Sequence, residues 1–258
     1  MYFIGQRHIM NQLRDILPHL YENDVGMSIL IRGPSGWGKT RMSFMICNYL
    51  TGGDFDYCLG DSVVFHDNRR VHFIDEVHRI EHPESLYPKM DSGKYVIILT
   101  TNDVALLPEA LSNRCVEFNF DRYSVPELRE ISSTALQCEL PDSFLDYIIE
   151  SGGGNPRIII KSLISRLNII VSRRPDVVKN LNLDQFKVLL DQTFGIRDGM
   201  DIMCSRYLEA LSALGGTAAI ATINTYMHVD QNTLKFYAEP ILLYKNKIRI
   251  SNKGRSLV

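Results

Sequence analysis

Residues 33–40 read Gly-Pro-Ser-Gly-Trp-Gly-Lys-Thr, and no other stretch of the chain narrows its fold as much. The run fits the pattern GxxxxGK[ST] at every fixed position. It follows a short apolar segment, Met27 to Arg32, and opens a helical pattern that runs to about Leu50. A strand, a glycine turn and a helix in that order form a phosphate-binding loop. The glycines let backbone N–H groups turn inward around phosphate oxygens, and the helix N-terminus adds its positive dipole at the same place. Gly33, Pro34, Ser35, Gly36, Trp37, Gly38, Lys39 and Thr40, with Arg41 beside them, are therefore the candidate nucleotide-binding residues. Lys39 is expected to reach the β- and γ-phosphates of ATP, and Thr40 to ligate Mg²⁺. Trp37, the sole tryptophan, occupies a free position of the loop and is expected to pack on its outer side.

The segments around this loop alternate between two periods. Residues 6–23 place Ile9, Leu13, Ile16, Leu17 and Leu20 at helical spacing. Short apolar runs at 63–65, 71–75, 95–100 and 115–120 read as strands buried on both faces of a parallel sheet. The fold class that follows is α/β, with a parallel sheet in the nucleotide-binding domain. The run 71–75 ends in Asp75-Glu76, and a side chain at a strand's carboxyl end faces the ligand crevice in such a sheet. Asp75 is thus expected to join Thr40 at Mg²⁺, and Glu76 to orient and deprotonate the attacking water. The run 95–100 leads into Thr100-Thr101-Asn102-Asp103, whose polar side chains would meet the γ-phosphate or the water. Arg114 follows as a candidate to stabilise transition-state charge in a neighbouring subunit.

From Ser124 the pattern is helical, with a capping residue, an early proline and an acid in the first turn. It continues to about residue 193, broken at Leu140-Pro141-Asp142 and at Ser151-Gly-Gly-Gly-Asn-Pro156, which reads as a small all-α domain. Residues 196–201 look like a second joint. Beyond them lie helices and a two-stranded turn with Asn252-Lys253-Gly254 at its tip. Between Ile241 and Val258 there are five basic residues, Lys245, Lys247, Arg249, Lys253 and Arg255, and no acids, so they form a candidate DNA-phosphate face. Asp230 is placed to cap the helix before it, on which Gln231, Asn232 and Lys235 would also approach DNA. The whole chain is nearly neutral, with 28 basic and 30 acidic residues in 258, so nucleic-acid binding has to come from such a local patch. Hydrophobic residues at 45% and charged residues at 22% exclude a disordered chain, a collagen-like fibre and a coiled coil. Five unpaired-looking cysteines and the lack of a signal-like or membrane-spanning run give a cytoplasmic expectation without disulfides or zinc. His78 and His82 stand four apart, but no partner is evident, and a metal site there is not expected.

Together these residues resemble an AAA+ ATPase, and within that class the RuvB family of Holliday-junction branch-migration motors. Phe3-Ile4-Gly5-Gln6 is similar to the family's adenine-binding stretch. Phe73-Ile-Asp-Glu-Val-His-Arg79 and Leu86-Tyr-Pro-Lys-Met-Asp91 are similar to its Walker B region. Gly154-Asn-Pro-Arg157 resembles sensor 2, and Tyr237–Leu243 with Ile248–Arg255 resembles its winged-helix domain. The resemblance implies a nucleotide-binding domain over 1–120, a helical lid over 121–195 and a winged helix over 196–258. It implies that Phe3, Ile4, Tyr123, Pro156 and Arg157 contact the nucleotide, that Asn102 is sensor 1, and that Arg114 is the arginine finger. It also implies a ring or spiral of identical subunits, six in the family, acting on DNA.

Two departures accompany it. Only Ser92-Gly93-Lys94 separates Asp91 from the next strand, where the family carries the hairpin that docks RuvA, so a RuvA-type partner is not expected. The spacing from Thr101-Asn102 to Ser112-Asn113-Arg114-Cys115 resembles a clamp-loader subunit instead. The principal expectation is a Mg²⁺-ATP-hydrolysing motor on duplex or junction DNA. The alternatives are an ATP-switched loader of a helicase or clamp on DNA, and a DNA-independent remodeller of a protein.

Overall fold

The structure, a computed structural model, describes residues 2–174 and 176–258, with the side chain of Val104 also left aside. The chain divides into two compact units, 1–122 and 123–258.

The first unit begins with helix α1, Arg7–Asn23, whose Ile9, Leu13, Leu17 and Leu20 face inward at the spacing of one helical face. Strand β1 (Met27–Arg32) leads through the phosphate loop into helix α2 (Lys39–Thr51). Strands β2 (Asp56–Leu59) and β3 (Val71–Asp75) follow, then the short helix α3 (Tyr87–Asp91) and strand β4 (Val96–Thr101). A one-turn helix α4 (Glu109–Ser112) and strand β5 (Val116–Asn119) complete the unit. All five strands are parallel, in the order β2-β3-β4-β1-β5. Side chains alternate across a sheet. Ile29, Ile31, Phe73, Val96 and Ile98 therefore enter one core with α1 and α2, while Leu30, Ile74, Ile97 and Leu99 enter another with Leu86 and Leu111. Both faces are covered, which explains the continuous apolar runs of β1, β3 and β4.

One sequence expectation changes here. Residues 63–65 are not a strand. Phe65 instead stacks on His72, with ring centroids 3.4 Å apart, and the edge strand is the more polar Asp56–Leu59. The chain does pass straight from α3 to β4 through Ser92–Lys94, with Gly93 at φ 65° making the turn and its carbonyl accepting from Gly26 N–H at 2.8 Å.

The second unit opens with α5 (Val125–Ala135), capped by a reciprocal pair: Ser124 Oγ accepts from Glu127 N–H, and the Glu127 carboxylate accepts from Ser124 N–H. Helix α6 (Asp142–Ser151) follows, then a π-helical stretch (Ile158–Ile164) continuing as α7 (Ser165–Arg173), and α8 (Leu183–Phe194). Phe144 stacks on Phe186 at 4.2 Å in their common core. A second core gathers α9 (Ile202–Ala213), strand β6 (Thr217–Ala218), α10 (Ile220–Met227) and α11 (Gln231–Thr233). With them are a π-helical stretch (Leu234–Ala238), α12 (Glu239–Tyr244), and strands β7 (Ile248–Ser251) and β8 (Gly254–Leu257). The hairpin β7–β8 gains a third, unexpected strand, giving an antiparallel order β6-β8-β7. Asp230 caps α11, accepting from Thr233 N–H at 2.9 Å.

Candidate nucleotide site and nucleic-acid face

The phosphate loop has the backbone its sequence requires. Gly36 and Gly38 sit at φ 85° and 97°, where a side chain would be strained. Gly33 lies so close to Phe120 that an added Cβ would come within 2.8 Å of the Phe120 Cβ. Lys39 is buried, and its ammonium donates to the carbonyls of Gly33 (2.8 Å) and Pro34 (3.0 Å). Trp37 packs half-buried against the core formed with α1 and α2. Arg41 is exposed on α2.

The carboxyl ends of β3 and β4 meet the loop. Thr40 Oγ1 donates to Asp75 Oδ2 at 2.9 Å, and Thr100 donates to Asp75 Oδ1. Glu76 N–H lies 3.1 Å from that same carboxylate oxygen and 3.2 Å from the Thr100 hydroxyl. Two hard oxygen donors side by side, with an ammonium on the adjoining loop, suit a divalent cation held against phosphate. Glu76 itself takes a left-handed conformation, φ 55°, at the strand's end. Its carboxylate is 3.3 Å from His78 Nε2, and His78 Nδ1 is 3.1 Å from Thr101 Oγ1. Asn102 stands one residue beyond β4, while the strand-end hydroxyls nearest the acids are those of Thr100 and Thr101. In the sequence Thr100 and Thr101 are marked only toward the γ-phosphate or the water, and His78 only by its spacing from His82. Their pairing with Asp75 and Glu76 depends on β3 and β4 lying side by side.

The N-terminal stretch is fixed over the same edge of the sheet. Phe3 meets Phe120 edge-on at 6.0 Å. Gln6 exchanges two hydrogen bonds with Asp121: its Nε2 donates to the Asp121 carbonyl (2.7 Å), and its Oε1 accepts from Asp121 N–H (2.9 Å). Phe3 and Gly33 thus both border Phe120. Arg114 is held within its own subunit. Its Nε donates to both oxygens of Asp91 (2.9 and 3.2 Å), its Nη1 donates to the Ala110 carbonyl (2.7 Å), and its guanidinium lies 4.5 Å from the Tyr87 ring centre.

In the second unit Tyr123 packs partly buried against the helical core, Asn155 and Pro156 are buried, and Arg157 is exposed at the start of the π-helical stretch. The glycines before it serve close packing. A Cβ on Gly153 (φ 60°) would fall 2.6 Å from Ile241 Cα, and one on Gly154 would fall 2.8 Å from the Tyr244 ring.

The five basic residues near the C-terminus divide into two groups, which corrects the expectation of a single face. Lys245 is turned inward, with its side chain 6% exposed and paired with Glu150. Arg255 is also turned inward. Its Nε donates to Glu239 at 2.8 Å, and Glu239, only 3% exposed, also accepts from the Tyr207 hydroxyl at 2.9 Å. Arg255 answers a carboxylate that would otherwise stand buried without a counter-charge, whereas at the other pair the enclosed charge is Lys245 and Glu150 is exposed. Lys247, Arg249 and Lys253 remain on the exposed side of the hairpin, as does Lys235 on the helix before it.

Among the described residues no helix is long and apolar enough to cross a membrane, and no three His, Cys, Asp or Glu side chains gather as a metal site; His82 pairs with Glu84.

The family model for the RuvB C-terminal winged helix domain matches residues 197–258. Over nearly the whole chain the sequence is similar to the RuvB branch-migration subunits of Ehrlichia ruminantium (26% identity, 98% of this chain, 86% of that one) and Helicobacter acinonychis (27%, 98% and 85%). The chain is RuvB-like. Its fold matches the Thermotoga maritima RuvB Holliday junction branch migration motor with a TM-score of 0.83, at 24% identity, over 99% of this chain and 93% of that one. The fold is therefore α/β of the AAA+ type, followed by a winged helix. The alignment with the Ehrlichia subunit runs over 290 positions, more than the 258 residues here, so that relative carries insertions which this RuvB-like chain lacks. A phosphate loop intact in such a fold makes it a nucleotide-binding chain.

Proposed function

We propose that this RuvB-like chain hydrolyses Mg²⁺-ATP as an oligomeric motor on duplex or junction DNA. The carrying observation is the joined set Lys39, Thr40, Asp75 and Glu76, in one chain with a winged helix.

Lys39 leaves the loop carbonyls that it now holds and meets the negative β- and γ-phosphates. Thr40 and Asp75 would hold Mg²⁺, which would supply positive charge against that developing on the phosphates. Glu76 takes the proton of the attacking water. On the family resemblance Phe3 and Ile4 are assigned to the base, and Tyr123, Pro156 and Arg157 are assigned nucleotide contacts of their own. Asn102 acts as sensor 1, helped by Thr100 and Thr101. Arg114, stiffened by Asp91 and Tyr87, is donated to the site of the next subunit in a ring or spiral, six in number if it follows the family. We assign three functional parts: 1–120 for nucleotide, 121–195 as lid and 196–258 for DNA. Lys247, Arg249 and Lys253 meet DNA phosphates, which positions the protein without reading sequence.

The three-residue passage from α3 to β4 favours a second reading. With no hairpin there, the chain works without a RuvA-type partner, as an ATP-switched loader on DNA. Steady-state ATPase rates without DNA and with single-stranded, duplex and four-way-junction DNA separate the two, with Lys39→Ala as the blank. Stimulation by duplex or junction DNA is the expected result. A basal rate indifferent to every DNA, with no DNA binding, refutes the motor.

A further inference from the structure

We infer that His78, anchored on its far side by Thr101, is a positioning residue for the Glu76 carboxylate; this rests on Glu76 being the base of the proposed ATPase. The imidazole is nearly enclosed, with its side chain 12% exposed, and both ring nitrogens face polar atoms. Nε2 faces Glu76 Oε2 at 3.3 Å, and Nδ1 faces Thr101 Oγ1 at 3.1 Å. Thr101 is fully buried at the end of β4, and its oxygen accepts from Asp103 N–H at 3.0 Å.

The Glu76 contact calls for a proton on Nε2. A ring protonated only at Nδ1 would set a nitrogen lone pair against a carboxylate oxygen, and the two would repel. A proton on Nε2 matches the Glu76 contact, while Thr101 Oγ1, which accepts from Asp103 N–H at 3.0 Å and lies 3.0 Å from the Asp103 carbonyl, holds the other ring nitrogen at 3.1 Å. One carboxylate oxygen is thereby tethered, and Oε1 is left as the oxygen offered to water.

The backbone around Glu76 is arranged for the same end. Its φ of 55° is unusual for a residue with a side chain, and such outliers gather where a site requires them. The turn that follows, Val77–Arg79, carries His78 back beside Glu76. Gly60 closes the turn from behind. Its N–H donates to the Asp75 carbonyl at 2.8 Å, and a Cβ there would strike the Glu76 carbonyl at 2.4 Å. A base held in one orientation loses less freedom on reaching the transition state than one that must be found among rotamers.

The test compares kcat and nucleotide affinity in four variants, with fluorescence of Trp37 on the phosphate loop reporting binding. His78→Ala is expected to lower kcat about tenfold or more while ATP affinity stays at the wild-type value. His78→Gln, whose amide N–H reaches toward the same oxygen, is expected to restore most of the rate. His82→Ala, on the same segment but exposed, is expected to behave as wild type. Glu76→Gln is expected to bind ATP and not turn over. Wild-type kcat in His78→Ala alongside an inactive Glu76→Gln overturns the inference, as does a His78→Gln as slow as His78→Ala. Wild-type kcat in Glu76→Gln instead overturns the role given to Glu76.

Discussion

Arg255→Ala is expected to damage the stability of the second unit more than any direct binding of DNA. The Arg255 side chain is 16% exposed and bound to a Glu239 side chain 4% exposed. Removing it leaves a buried carboxylate facing only the Tyr207 hydroxyl. Breaking a buried pair by deleting one partner costs about 3–5 kcal/mol, against a typical total of roughly 5–15 kcal/mol. The midpoint of urea unfolding, followed by far-UV circular dichroism, should fall accordingly, and DNA affinity should fall only as the folded fraction does. Replacing both charges, as Arg255→Met with Glu239→Gln, is expected to recover most of the loss, because the buried charge is then gone. Lys253→Ala, two residues away on the exposed tip, serves as the contrast, with unchanged stability and weakened DNA binding. An Arg255→Ala protein with the wild-type urea midpoint and a large loss of DNA affinity would refute this reasoning and return Arg255 to the phosphate face.

Neutralising Lys247, Arg249 and Lys253 together should reduce the slope of log K against log salt by about 2.7 in a titration of duplex DNA, at roughly 0.9 for each phosphate that a side chain no longer neutralises. Arg114→Ala should bind ATP normally and fail to hydrolyse it, and mixing it with Lys39→Ala subunits should restore partial turnover at shared interfaces. Asp91→Ala should lower turnover less than Arg114→Ala does, because it only loosens the guanidinium. Burial pushes the thiols of Cys47 and Cys115 up to about 12 from 9.0. The folded state therefore holds protons that the unfolded state releases above pH 9, so stability should decline as pH rises from 9 toward 12. Urea midpoints measured at pH 8, 9 and 10 check this, and a midpoint that rises over that range contradicts it.

The parts legible in the sequence were those whose signal is local. The phosphate loop, the strands β1, β3 and β4 and the cap at Ser124 each carry their reason within a few residues. Strand β2 was not legible because its polarity makes sense only in three dimensions. Asp56 is buried there between His66 and His72. Burial alone would raise its carboxyl pKa, but hydrogen bonds from His66 and the nearby imidazoles bring it below the ordinary value. The apolar run 63–65 misled for the complementary reason: Phe65 is apolar to cover the His72 ring, not to enter a sheet. Lys245 and Arg255 show the same limit in the candidate DNA face. Composition counts charges, but the partner of Lys245 is 95 residues away at Glu150, and the partner of Arg255 is on a different element. At the nucleotide site the sequence marked Asp75 and Glu76 by position. It could not show that Thr100, Thr101 and His78 close around them, since that follows from the pairing of β3 with β4.

The central claim is that ATP turnover by Lys39, Thr40, Asp75 and Glu76 moves DNA. A labelled four-way junction with homologous arms, incubated with the protein and ATP and resolved by native electrophoresis, tests it most directly. The wild-type chain should convert the junction to its two duplex products, while Glu76→Gln should bind the junction and leave it intact. Binding and ATP hydrolysis by the wild type with no conversion of the junction would contradict the motor account.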